Sequence, residues 1–406
     1  LDENGIIKKS KDARREYGQA KANEQEDLSN LSDMIDEATA EPTPKVNVNT
    51  KAGDNSTING KKGNSNNPTI PKGYIPINTE TSSWGDGTSA PTQDSVDHGL
   101  VIKGDSDDNE WVWIPVPDVT VMCDTANETE YTLCGTSGET AVKTKLYSST
   151  ITIGKDSNTI TRTTPGTTSD YREPDLVVGS NGTSYDAKEE YYKDILGFSS
   201  KEKMAEAFVA DYNEMIVSIG KYGGFYIGRY ELSESGVKKD QPTLTKTNWY
   251  NLYKKCTELQ ASDKVKTQMI WGCQWDVTMN WLISSGAKTS DEVNKDSSSW
   301  GNYYASSVKA DDGTTEIKAS GDVQVLNTGK TTFTMANNIY DLAGNCSEWT
   351  QEASGTSVRA GRGGSYVSRG SGSPASDRIY SSPDSSVGNV RFSSHFNNKV
   401  ILDTRA

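Results

Sequence analysis

The chain has 406 residues, with 42 basic and 56 acidic side chains and a net charge of −14. Phosphate backbones and anionic membrane surfaces are therefore poor partners, since both need local positive charge. With 36 Gly, 33% hydrophobic residues and only two histidines, His98 and His395, the composition predicts strands and long loops and argues against a His-built metal centre.

Residues 1–38 carry Leu28, Leu31 and Ile35 on one helical stripe. Ile6, Ile7, Ala13, Tyr17 and Ala20 make a looser one among dense charges. The pattern predicts an amphipathic helix that needs a partner surface. Residues 39–71 are rich in Pro, Gly, Asn, Ser and Thr and read as a linker, too poor in apolar groups to offset the entropy of ordering.

A head is expected over residues 72–406. "HGLVIKGDSDDNEWVWIPVP" gives alternating strands around Leu100–Ile102 and Trp111–Val116. The acidic turn between them lacks the spacing and terminal Glu of a helix–loop–helix calcium site. Residues 118–195 are rich in Thr and Ser and read as short strands on an insertion. Within them Cys123 and Cys134 could close a disulfide worth about 2–3 kcal/mol outside the cell. Cys256, Cys273 and Cys346 sit among Trp and aliphatic residues and read as buried small hydrophobes.

Residues 200–222 predict a helix with Met204, Phe208, Tyr212, Met215, Ile216 and Ile219 on one face. A strand with Phe225, Ile227 and Tyr230 follows, and then a strand or turn that becomes a helix through Trp275, Met279 and Leu282. The last 70 or so residues carry turn signals and little helix pattern. No stretch reaches the roughly 18 apolar residues of a membrane span.

"LDENGIIKKSKDARREYGQAKANEQEDLSNLSDMIDE" resembles the segment after the membrane anchor in prepilin-like surface proteins of Gram-positive bacteria. The resemblance implies an anchor before residue 1 and pilin-like partners for residues 1–38.

Five later segments, "GGFYIGRYEL", "MIWGCQWDVTMNWL", "NIYDLAGNCSEWT", "RAGRGGSY" and "SPDSSVGNVRF", resemble in order the framework of the formylglycine-generating-enzyme (sulfatase-modifying-factor) family. That resemblance implies an α+β, C-type-lectin-like head with a loop-rich mixed sheet. Enzymes of that family use reactive cysteines near the C-terminus, at positions that fall here near Ala375 and Ser394. Neither carries sulfur, so the expected protein is not an enzyme, because a thiolate is what that chemistry needs. The resemblance also implies a structural calcium site, with Asp341 and Glu348 giving carboxylate oxygens and Gly344 and Cys346 backbone carbonyls.

Between "RGGS" and "VRF" lie mostly Ser, Gly, Tyr, Asp, Asn and Arg. Such a mixture resembles a paratope, in which Tyr gives rigid contact area and Ser, Gly and Asn adapt by hydrogen bonding. Position and composition also resemble the variable region of diversity-generating-retroelement target proteins. The candidate contact residues are Tyr366, Ser368, Arg369, Ser371, Ser373, Ser376, Asp377, Tyr380 and Ser381.

The sequence thus predicts a cell-surface, extracellular ligand-binding adhesin on a pilin-like stalk. Its expected ligand is a protein or glycan, not nucleic acid. A filament subunit and a diverged oxidase are the alternative readings.

Overall fold

The computed structural model describes residue 65 and residues 68–71, 73–77, 96–104, 106–117, 124–132, 143–152, 159–162, 171–172, 189–260, 265–354, 358–384, 396–397 and 399–404. The expected stalk over 1–38, Cys123, Cys134, Ser394 and His395 lie outside the described residues, as does most of the expected linker. The end of that linker belongs to the head. Ser65, Thr69 and Ile70 are buried, and their stretch of main chain caps two core side chains. Trp113 Nε1 donates to Ser65 O at 3.0 Å and the Tyr226 hydroxyl to Thr69 O at 2.9 Å.

Three short strands open the head: β1 (Tyr74–Ile77), β2 (Val101–Gly104) and β3 (Glu110–Pro115). β4 (Asp124–Thr132), β5 (Lys143–Thr152) and β6 (Thr159–Arg162) form a separate three-stranded sheet in the expected insertion. β7 is Tyr171–Arg172. A wide helical turn, Glu190–Ile195, follows, and its Tyr191 stacks on Tyr250 with ring centroids 4.4 Å apart.

Helix α1 (Lys201–Tyr222) buries Met204, Phe208, Tyr212, Met215, Ile216 and Ile219, the face that the spacing predicts. The Ser200 hydroxyl accepts from Lys203 N at its start. Gly223, at φ 75°, ends it in the left-handed conformation that a side chain disfavours. β8 (Gly224–Gly228) follows at once and is buried throughout.

Helix α2 (Trp249–Glu258), β9 (Val265–Met269), α3 (Gly272–Ser284) and α4 (Ser290–Asn294) come next. The remainder holds β10 (Val308–Lys309), β11 (Glu316–Lys318), β12 (Met335–Ala336), β13 (Ile339–Tyr340), β14 (Ser347–Ser354), β15 (Val358–Arg362), β16 (Arg378–Ser381), β17 (Phe396–Asn397) and β18 (Val400–Thr404).

The main sheet runs β1-β2-β3-β8-β18-β9 and every neighbouring pair is antiparallel. β18, near the end of the chain, therefore lies inside the sheet between β8 and β9. The second sheet runs β16-β15-β14-β17, with β7 also on β14 and one parallel pair, β14 with β17. A main-chain bond next to β9 joins the second sheet to the first, with Gln351 N donating to Ile270 O at 3.0 Å, and the Trp249 indole of α2 donates to Thr350 O on β14 at 2.9 Å.

Trp111, Trp113, Trp249, Trp271, Trp275, Trp300 and Trp349 are all buried. Such large rings supply much of the apolar area that a loop-rich chain must bury. Cys256, Cys273 and Cys346 are buried with them. The fold is α+β, with antiparallel sheets and long ordered loops. No helix among the described residues is long and apolar enough to cross a membrane.

Candidate binding surface

The loop that holds most of the candidate contact residues spans residues 363–377, between β15 and β16. Its two ends face each other, because Arg362 and Arg378 are register partners. Both guanidiniums turn inward to the same two acids, Asp276 on α3 and Glu352 on β14. Arg362 Nη2 lies 2.6 Å from Asp276 Oδ1 and its Nη1 3.4 Å from Glu352 Oε2. Arg378 Nε lies 3.2 Å from Glu352 Oε1, and its Nη2 pairs with Asp276 Oδ2. All four are buried. Arg362 also donates to Asp377 O at 2.9 Å and Ser376 O at 3.1 Å. Charges taken out of water need close pairing of this kind, so the base of the loop is a buried ionic clamp.

Above the clamp the loop is half embedded. Ala375 N donates to Ser297 Oγ at 2.9 Å, and Ala375 O accepts from Trp275 Nε1 at 3.0 Å. Ser376 N donates to Val293 O at 3.2 Å. Gly370 presses against residues 296–298, where a β-carbon would lie 2.4 Å from Ser298 N.

The candidate residues separate accordingly. Arg369, Ser371 and Tyr380 are exposed, and Tyr366, Ser368, Ser373, Asp377 and Ser381 are partly exposed. Ser376 is buried, because the clamp draws the loop's end under the surface, so its side chain is not offered to a ligand. Tyr380 and Ser381 stand on β16, where Tyr380 faces Ala360 across the ladder and Ser381 faces Arg359. Burial, followed by the nearby Cys346, raises the pKa of Tyr366.

"NIYDLAGNCSEW" underlies this loop. Gly344, at φ 69°, approaches Asn302 so closely that a β-carbon would lie 2.5 Å from its carbonyl oxygen. That glycine therefore combines left-handed backbone with a close approach that a side chain would block. Asn345 is a peg for the surroundings. Its Oδ1 accepts from Leu326 N and from Asn302 Nδ2, each at 2.9 Å, and its main-chain oxygen accepts from Tyr366 N at 2.9 Å. Its Nδ2 donates to Glu231 Oε2 at 2.6 Å.

The expected calcium ligands Asp341, Gly344, Cys346 and Glu348 are all buried. Among the described residues no three or more His, Cys, Asp or Glu side chains group as metal ligands. Asp341 Oδ2 accepts from Gly329 N at 2.8 Å, and Cys346 N donates to Glu231 Oε1 at 3.0 Å. Glu348 is buried with no hydrogen bond to either carboxylate oxygen. Burial, with Glu231 nearby, pushes its pKa well above the usual carboxylate range. The neighbouring ammonium of Lys399 donates to Tyr340 O at 2.6 Å.

Tyr304, which is not among the candidate contact residues, also meets the loop. Tyr304 N donates to Ser368 O at 2.9 Å, and the Arg369 guanidinium lies 5.7 Å from the centre of the Tyr304 ring. No local pattern marks Tyr304, since only tertiary folding brings it to the loop.

No known family matches the chain, and no curated protein is similar to it. Among solved structures it is similar to Treponema denticola variable protein 1, at 13% identity and a TM-score of 0.28, over 45% of this chain and 85% of that one.

Proposed function

We propose that the chain is a non-catalytic ligand-binding protein of a cell surface, which offers the loop over residues 363–377 and the β16 edge to an extracellular partner. One observation carries the reading. The loop is fixed at both ends by the buried Arg362–Arg378–Asp276–Glu352 clamp, while Arg369 and Ser371 within it and Tyr380 just beyond it remain exposed. A rigid base below adaptable side chains suits binding, because little order is lost when a partner docks.

Ala375 supports the absence of thiol chemistry. At one position where the resemblance places a reactive cysteine, this chain has a buried methyl group. The antiparallel sheets and long loops are in keeping with a C-type-lectin-like head. The charged stripe of residues 1–38 supports a pilin-like anchor, and the Ser, Gly and Tyr content after Arg362 supports diversification of the exposed positions.

The test is binding of the full chain to a panel of immobilised glycans and to a random-peptide phage library. The wild type should select ligands that the Arg369→Ala, Tyr380→Ala double variant does not hold, with the two proteins melting within a few degrees of each other. Equal binding by the variant, or no selection from either panel, would sink the proposal.

A further inference from the structure

Val323, Val325, Val367 and Tyr380 are the exposed large hydrophobic residues among those described, at 60%, 39%, 37% and 47% of their full exposure. Lone exposed valines are ordinary. These three are not scattered, because two shared pegs bring their loops together. Asn345 receives the main-chain N–H of Leu326, next to Val325, and that of Tyr366, next to Val367. Tyr304 receives the N–H of Gly321 on its carbonyl at 2.7 Å and gives its own N–H to Ser368.

The second peg is itself held from beneath. Buried Lys318 donates to Tyr303 O and Ser306 O, each at 2.8 Å. Main-chain bonds thus join segments 303–306, 320–325 and 365–372 beneath a face whose exposed residues include 320–325, Val367 and Arg369.

We infer that this face, resting on the binding role proposed above, docks a protein segment that presents a carboxylate beside an aliphatic or aromatic side chain. The charge argues for the carboxylate. Arg369 is exposed and lies over the Tyr304 ring. In a chain of net charge −14, no carboxylate among the described residues pairs with it. A guanidinium held against a ring keeps its donors for a planar anion. The valines argue for the apolar neighbour and for protein over glycan. Three aliphatic side chains offer area and no hydrogen bonds, whereas a sugar needs directed polar contacts. The inference also widens the site: Tyr304, Val323 and Val325 belong to it, although they lie well before the paratope-like stretch.

The experiment pans a random heptapeptide phage library on the full chain as wild type, as a Val323→Ser, Val325→Ser double variant, and as Arg369→Glu. Wild type should enrich peptides with Asp or Glu next to an apolar residue. The valine variant should recover roughly tenfold fewer phage, as loss of one anchoring contact gives. Arg369→Glu should turn the selection toward Lys and Arg. Unchanged recovery on the valine variant would overturn the composite face, and would leave the loop reading standing if Arg369→Glu still altered selection. No peptide enrichment on wild type would also overturn it, while glycan binding sensitive to Arg369 and Tyr380 would preserve the broader role.

Discussion

Glu231 shows how much single side chains beneath the surface matter. Its carboxylate accepts from Asn345 Nδ2, Cys346 N and Thr243 Oγ1, the last at 3.2 Å. Burial, then the neighbouring Asp341, pushes its pKa from 4.5 up to about 8. Asp341 and Glu348 are raised as well, by burial first. A carboxyl group that holds its proton more tightly when folded adds stability that is complete below its unfolded pKa, here 4.5. That stability is lost as the pH rises through the folded value of about 8. Lys399, lowered chiefly by burial, acts in the opposite sense, and only up to its ordinary 10.5. The denaturant midpoint should therefore be lower at about pH 8.5 than at about pH 5.5, and Glu231→Gln should narrow that gap. Equal midpoints for the wild type at both values would contradict the assignment.

At the scale of elements, the clamp couples α3 to β14, β15 and β16 through four buried charges. Removing one partner leaves guanidiniums uncompensated, so Asp276→Ala should cost about 3–5 kcal/mol in denaturant unfolding. Amide exchange over residues 363–377 should quicken in that variant. Ser371→Lys, on the exposed part of the same loop, should change stability by no more than about 0.5 kcal/mol. The contrast accounts physically for a loop whose tips can vary while its ends cannot.

The elements also differ in how plainly the sequence announces them. The apolar stripe of α1 and the strand pair β2 and β3 follow from periodicity alone. Helix α2 does not. "WYNLYKKCTE" is dense in aromatic residues, which are indifferent helix formers, and its helix rests on buried packing of Trp249, Tyr250, Leu252 and Tyr253. In the proposed binding surface, composition points to Arg369, Ser371 and Tyr380. It could not show that Ser376 is drawn under by its neighbours, nor that residue 304 stands beside residue 368. Both depend on contacts between segments far apart in sequence, which no local pattern encodes.

At the scale of the whole molecule, the strand at 400–404 lies between β8 and β9 rather than at an edge. Val400, Ile401 and Leu402 are buried, and Lys399 beside them is buried too. Deleting residues 399–406 would strip a central strand and bare two ladders at once. The shortened chain should lack a cooperative melting transition in near-ultraviolet circular dichroism and should be cut rapidly by protease. A truncated protein with wild-type melting would refute the topology.

That placement governs when the head can form during synthesis. A ribosome that releases residues in order must expose β8 and β9, some 170 and 130 positions earlier, well before the strand that joins them emerges. Until then the half-built sheet has open flanks in a chain rich in apolar rings, so its maturation waits until residues 400–404 have emerged.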